Sequence, residues 1–268
     1  MCCKLLNLST SVYYYRPKAT DDSELIVILD QLAESHPTYG FRKLFKMTRK
    51  QGYLYNHKRV YRVYKQMGLN IRRKRKRRVP ERVKEPLTLP INTNIVWSID
   101  FMQDSLLNGK SFRTLNIIDD FNRECLWITA DVSIASGRVT RELDKLIDYR
   151  GKPECIRVDN GPEFTSTHFQ DWCRENGISI RYIQPGKPVQ NSFIERFNRS
   201  YRQEILNAYL FSSLEQVKIL TEQWIVHYNN KRPHEALGDM TPVEFSANYG
   251  KASFSIVENI KNNEICIN

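Results

Sequence analysis

Val96-Trp97-Ser98-Ile99-Asp100-Phe101-Met102 is the stretch on which the fold turns. Trp97, Ile99 and Phe101 alternate with smaller or polar residues, so the segment reads as a strand with one apolar face. Asp100 lies inside that strand, where an unpaired carboxylate costs several kcal/mol (roughly 2–7 for a polar group left without a partner). Working outward, residues 112–118 and 125–130 read as two more strands, the first preceded by the turn-forming pair Asn108-Gly109. Residues 137–149 carry helical spacing through Val139, Leu143, Leu146 and Ile147. A short strand at 155–158 runs into Asp159-Asn160-Gly161. A helix over 166–176 ends at Gly177, a strand covers 178–183, and a long helix follows Pro188. Three strands followed by helix, strand, helix, strand and helix indicate an α/β domain with a mixed sheet.

Towards the N-terminus the chemistry changes. Residues 1–90 hold 21 Lys and Arg against 7 Asp and Glu, whereas residues 91–268 hold 20 against 23. The whole positive excess of this chain, net +11, therefore sits in its first third. Such an asymmetry points to a polyanion-binding module joined to a nearly neutral domain. Three helices are expected there: 21–35, with Asp21 and Asp22 at its start and Leu25, Ile28, Leu29 and Leu32 as its apolar stripe; 39–51, stopped by Gly52; and one capped by Asn56 and stopped by Gly68. In the third, Val60, Tyr64 and Met67 face a core while Lys58, Arg59, Arg62 and Lys65 face outward. The pattern fits a helix-turn-helix-like DNA reader, and equally a plain helical bundle with a solvated basic face. Next comes Arg72-Arg73-Lys74-Arg75-Lys76-Arg77-Arg78, seven consecutive cations. A block that repels itself does not join a core, so an extended linker that meets phosphates is expected.

The expected organisation is a helix-turn-helix-like domain at 1–70, a basic linker at 71–91, a core at 92–210 and a helical tail at 211–268. With 41% hydrophobic and 26% charged residues the composition is that of a soluble globular chain. Its longest aliphatic run, residues 25–29, is too short to span a bilayer, so no membrane partner is expected. Six cysteines at scattered positions form no CxxC pair and read as reduced thiols of a cytoplasmic protein.

Three acids stand out: Asp100 inside a strand, Asp159 just past a strand end, and Glu195 in the last helix. There Ile194, Phe197, Tyr201 and Ile205 form the buried stripe, and Asn191, Glu195, Arg199 and Arg202 share another face. Carboxylates about 5 Å apart repel by roughly 3 kcal/mol per pair at an effective dielectric near 20. Protonation or a hard divalent cation relieves this. Spacing does not single these three out, because Asp104, Asp119, Asp120, Glu124 and Glu163 lie nearby in sequence.

The selection comes from a resemblance. Trp97-Ser98-Ile99-Asp100, Val158-Asp159-Asn160-Gly161-Pro162-Glu163-Phe164 and Gln190-Asn191-Ser192-Phe193-Ile194-Glu195-Arg196-Phe197-Asn198 closely resemble the DDE transposases of bacterial insertion sequences. The 35 residues between Asp159 and Glu195 match that group's D-D-35-E spacing, shared with retroviral integrases. The nearest likeness is to the second reading frame of the insertion sequence three family. It extends along nearly the whole chain, through residues 9–15, His36-Pro37-Thr38-Tyr39-Gly40-Phe41-Arg42 and Asn56-His57-Lys58-Arg59-Val60-Tyr61-Arg62. Near the end it includes Tyr228-Asn229-Asn230-Lys231-Arg232-Pro233-His234 and Thr241-Pro242-Val243-Glu244-Phe245.

The resemblance implies a ribonuclease H-like fold and cutting of element ends followed by strand transfer. It also implies two Mg2+ (or Mn2+) ions held by Asp100, Asp159 and Glu195. Implied partners are DNA, as terminal repeats and target, further copies of the chain on paired ends, and the product of the upstream reading frame. Lys187, Arg199 and Arg202, which flank Glu195, are expected to meet phosphates, as are Lys58, Arg59, Arg62 and the basic run. A cytoplasmic, nucleoid-associated location follows. The competing reading is a DNA-binding regulator or inhibitor without catalysis.

Overall fold

The computed structural model describes residues 9–16, 21–71, 89–184 and 188–250. The chain divides into two compact units, residues 1–74 and 75–268.

In the first unit three helices pack around one small core: α1 (Ser23–Ser35), α2 (Phe41–Lys50) and α3 (His57–Gln66). Leu25, Ile28, Leu29 and Leu32, the stripe read from spacing, are all buried against Leu44, Val60, Val63 and Tyr64. Met67 packs at the margin of this cluster. Asn56 caps α3 as expected, its side chain accepting from the Lys58 N–H. Gly52 and Gly68 end their helices with positive φ. Asp22 behaves differently from a simple cap. Its carboxylate binds Arg59 Nε at 2.8 Å and Arg62 Nη2 at 2.7 Å, drawing α3 onto the start of α1.

The second unit holds a five-stranded mixed sheet in the order β3-β2-β1-β4-β5. Its strands are β1 (Val96–Ser105), β2 (Ser111–Asp119), β3 (Cys125–Asp131), β4 (Cys155–Val158) and β5 (Ser179–Tyr182). β1, β2 and β3 are antiparallel neighbours, and β4 and β5 run parallel to β1. This is the ribonuclease H-like arrangement expected from the sequence. The helices are α4 (Ser136–Arg150), α5 (Pro162–Thr165), α6 (Thr167–Glu175), α7 (Ser192–Tyr201), α8 (Leu214–Asn230) and α9 (Pro242–Tyr249). The helix expected after Pro188 is shorter than its sequence pattern. A 3-10 turn (Pro188–Asn191) precedes α7 and one π-helical turn (Arg202–Leu206) follows it.

Alternation along the strands splits the core into two layers. Trp97, Ile99, Leu115 and Ile117 point to the side covered by Val139, Leu143 and Leu146 of α4 and by Phe164 and Phe169. Met102, Phe112 and Ile118 point to the other side, covered by Ile194, Phe197 and Tyr201 of α7 and by Val217, Trp224 and Tyr228 of α8. Each such residue buried contributes about 1.5–3 kcal/mol. The helical segment expected from residue 211 onward thus shares its core with the sheet. Asp100, two residues before Met102, falls on the α7 side by the same alternation.

At the far end of β1 a buried charge cluster supports that layer. Asp120, fully buried, is bound by Arg157 and accepts from Ser98 Oγ at 2.6 Å. Arg123 places its guanidinium 3.4 Å from the centre of the Phe193 ring, at the start of α7.

Candidate active site

Asp100 is half-buried at the middle of the central strand. Its Oδ1 accepts from the Phe101 N–H at 2.9 Å and its Oδ2 from Asn198 Nδ2 at 2.7 Å. β4 lies beside β1 in parallel register, Ser98 opposite Arg157. Two residues further along each chain stand Asp100 and Asp159, the latter just beyond the end of β4. Strand ends of this kind are where α/β sheets collect ligands. Asp159 is exposed, and its Oδ1 accepts from the Gly161 N–H at 3.0 Å. A Cβ on Gly161 would stand 2.9 Å from that same oxygen, so a side chain there would push the Asp159 carboxylate out of this position. Asn160 ties the turn to β5, its Nδ2 donating to the Ile183 carbonyl at 3.0 Å. Glu195 is exposed in the first turn of α7, whose opposite face, Ile194, Phe197 and Tyr201, is buried on the sheet.

Asp100 senses the other two acids. Burial, and then the negative charges of Asp159 and Glu195, push Asp100 up to about 6, against the lowering effect of its two hydrogen bonds. The neighbouring acids that spacing could not set aside are satisfied differently. Glu163 pairs with Arg113, Asp104 with Arg202 at 3.3 Å, Glu124 with Arg150 at 2.5 Å and Asp120 with Arg157. Asp119 accepts from the Asn94 and Phe121 N–H groups at 2.8 Å each, and burial pushes it up to about 6. Among the described residues Asp100, Asp159 and Glu195 have no cation partner. Nor, among those residues, is any group of three or more His, Cys, Asp or Glu arranged to hold a metal ion as it stands. The charges of Asp159 and Glu195 act on Asp100 without bringing the three acids into a ready-made metal site.

Of the cations expected at DNA, Lys58 is exposed on α3 and Arg199 on α7. Arg59 and Arg62 are engaged by Asp22. Arg202 binds Asp104 and donates to the Gln103 carbonyl at 2.9 Å. Arg72, Arg73, Lys74, Arg75, Lys76, Arg77, Arg78 and Lys187 lie outside the described residues. Asn191, placed by helical spacing beside Glu195, is buried instead, because the 3-10 turn changes the phase before α7 begins. His234 is buried and packs edge-on against Tyr228, a structural position. Two residues escaped the sequence reading, Asn198 and Asn116. Asn116 Nδ2 donates to Asn198 Oδ1 at 2.7 Å, one step behind Asp100. The available signal was a polar residue inside the apolar run Leu115-Asn116-Ile117-Ile118.

The sheet, its flanking helices and the acidic edge define an integrase-type catalytic domain that follows a small helical module in the sequence. Family profiles agree: two described as integrase core domain match residues 92–188 and 176–242, and one described as HTH-like domain matches residues 19–77. The chain is 40% identical over 248 residues to an uncharacterized 31.7 kDa protein of insertion element IS407 from Burkholderia multivorans, covering 92% of this chain and 90% of that one. It is 38% identical to the 39.2 kDa protein of insertion element IS476 from Xanthomonas euvesicatoria, over 92% of this chain and 72% of that one. Transposase InsD of insertion element IS2 from Escherichia coli is 26% identical over 245 residues, 86% of this chain and 80% of that one. Among solved structures, the HTLV-2 integrase catalytic core domain in complex with magnesium superposes with a TM-score of 0.47 at 19% identity, over 58% of this chain and 97% of that one. The chain belongs to the insertion-element transposases with an integrase core. Its activity class is DDE-type polynucleotidyl transfer. Among the described residues no helix is long and apolar enough to cross a membrane.

Proposed function

We propose that Asp100, Asp159 and Glu195 are the acids of this transposase, and that together they hold two Mg2+ or Mn2+ ions against the scissile phosphate. The observation that carries the reading is the state of Asp100: partly buried, raised to about 6, and destabilised by the charges of the other two acids. An all-carboxylate donor set fits hard divalent cations, which prefer oxygen ligands. Bound there, the ions would supply Lewis acidity toward an attacking hydroxyl and a departing oxygen.

The chain's own residues do the rest. Asp159 is aimed by its turn, and Asp100 is held by the Phe101 and Asn198 donors. Burial of Trp97, Ile99, Ile194 and Phe197 keeps the β1 and α7 supports rigid. Water serves as nucleophile for end cleavage and the liberated 3′-hydroxyl for joining. The basic first third and linker supply sequence-independent affinity for phosphates. Paired element ends and target DNA, further copies of this chain and the upstream-frame product are the partners this reading requires.

The test is cleavage and joining of DNA carrying the ends of the encoding element, in Mg2+ or Mn2+, by the parent and Asp159→Asn. Loss of both steps with DNA binding retained is expected. Unchanged cutting by the variant removes Asp159 from the chemistry, and cutting without joining by the parent makes the protein a nuclease.

A further inference from the structure

We propose that Asn116 and Asn198 form a positioning relay that orients the Asp100 carboxylate and fixes its distance from Glu195. The inference rests on the metal-binding reading above and deepens it.

A carboxylate accepts hydrogen bonds and cannot donate them, so Asn198 must turn its amide NH2 toward Asp100 Oδ2. Its carbonyl oxygen then points away and requires a donor, which is Asn116 Nδ2. The orientation of both amides therefore follows from Asp100 alone. Asn116 is fully buried and is the cross-strand partner of Asp100 on β2. It lies in the layer formed by Met102, Ile118, Phe197 and Tyr201, where an aliphatic residue of similar size would pack without a polar atom to satisfy. Its own Oδ1 finds no hydrogen-bond partner. The amide is thus poorly served as packing, and the side-chain bond it does make is aimed at the acidic site.

Asn198 stands one helical turn after Glu195, so its bond to Asp100 ties the helix bearing one acid to the strand bearing another. The third acid is held separately, by the Gly161 N–H and the Asn160 tie to β5. Fixing ligands before the cation arrives is what partners behind metal-binding side chains do, and their removal typically costs about 10–100-fold in affinity or activity.

The experiment measures Mn2+ binding to the full chain without DNA, from the electron paramagnetic resonance signal of free Mn2+. Thermal unfolding in chelator is recorded alongside. Asn116→Leu removes the relay donor, Asn198→Ala removes the link, and Asn116→Asp turns it round: a carboxylate at 116 attracts the Asn198 NH2 and leaves oxygen facing Asp100. The expected result is Mn2+ binding weakened about tenfold in Asn116→Leu and Asn198→Ala, and further in Asn116→Asp, with folding in chelator preserved. A residue that merely packs would lower the unfolding temperature while leaving Mn2+ affinity of the folded protein alone. If Asn116→Leu does not fold, Asn198→Ala, at the edge of the layer, decides. Mn2+ affinity within twofold of the parent in the variants that fold overturns the relay. Asp100→Asn binding Mn2+ as well as the parent does overturns the carboxylate reading itself, and with it the relay's object.

Discussion

Replacing Asp100 with asparagine should stabilise the metal-free protein at neutral pH while abolishing its chemistry. In the fold the carboxyl is pushed from an ordinary value of 3.8 up to about 6, first by burial and then by the charges of Asp159 and Glu195. Between those pH values the native state holds a proton that the unfolded chain has released. Stability therefore declines as pH rises through that window, and the loss is complete above it. At about 1.4 kcal/mol per tenfold, the ionised group costs up to about 3 kcal/mol at pH 8. The neutral amide would escape that cost but satisfy the Phe101 and Asn198 donors less well, a loss of about 1 kcal/mol. A net gain of about 2 kcal/mol remains, worth about 4–8 °C in a domain of this size. The assay is thermal unfolding of parent and Asp100→Asn in chelator from pH 4 to pH 8, repeated with Mg2+. The gap should open above pH 4, reach its full size above pH 6, and shrink when Mg2+ stabilises the parent alone. Asp119, also raised to about 6, titrates in both proteins and cancels in the difference. A gap that is constant across pH, or absent, would refute the raised state of the Asp100 carboxyl, to which burial and the two neighbouring charges both contribute.

Arg157→Met should leave Asp120 buried beside Ser98 without its main counter-charge and cost about 3–5 kcal/mol, read from urea unfolding; a loss below 1 kcal/mol would show that the charge of Arg123, which also acts on Asp120, suffices. Asp22→Asn should release Arg59 and Arg62, tightening DNA binding and steepening its salt dependence by up to about two phosphate charges. Fluorescence anisotropy across a salt series measures this, and an unchanged slope would place those arginines away from DNA. Neutral residues in place of the seven cations at 72–78 should flatten the log–log salt slope by up to about 6. An unaltered slope would remove the linker from the phosphate contacts.

Much of this architecture is legible in local pattern. β1 declares itself by the alternation of Trp97, Ile99 and Phe101, and α1 by the stripe Leu25, Ile28, Leu29 and Leu32, because burial imposes period 2 on strands and 3.6 on helices. The site is less legible. Asp100 is conspicuous as a charge in an apolar strand, but Asp119 and Asp120 look just as exceptional. What separates them is the partner each finds across the sheet, Arg157 for Asp120 and backbone donors for Asp119. Such pairing depends on register, which no single segment carries. Asn116 and Asn198 were hidden for the same reason: they are 82 positions apart and meet through one hydrogen bond. The fate of Arg59 and Arg62 also turned on a distant residue. Helical spacing correctly faces them outward, yet Asp22 lies 37 and 40 positions earlier and claims both.

The layer that seats α7 has a consequence for unfinished products of the gene. Phe197 and Tyr201 are covered by Trp224, and Phe197 also by Tyr228, so the outer cover of the helix bearing Glu195 comes from residues made well after it. A polypeptide halted shortly after the last acid would carry all three carboxylates and the whole basic arm. It would lack Trp224 and Tyr228, which cover Phe197 and Tyr201. Interrupted synthesis is thus expected to leave α7 without its aromatic cover, a dependence of the middle of the chain on its later part.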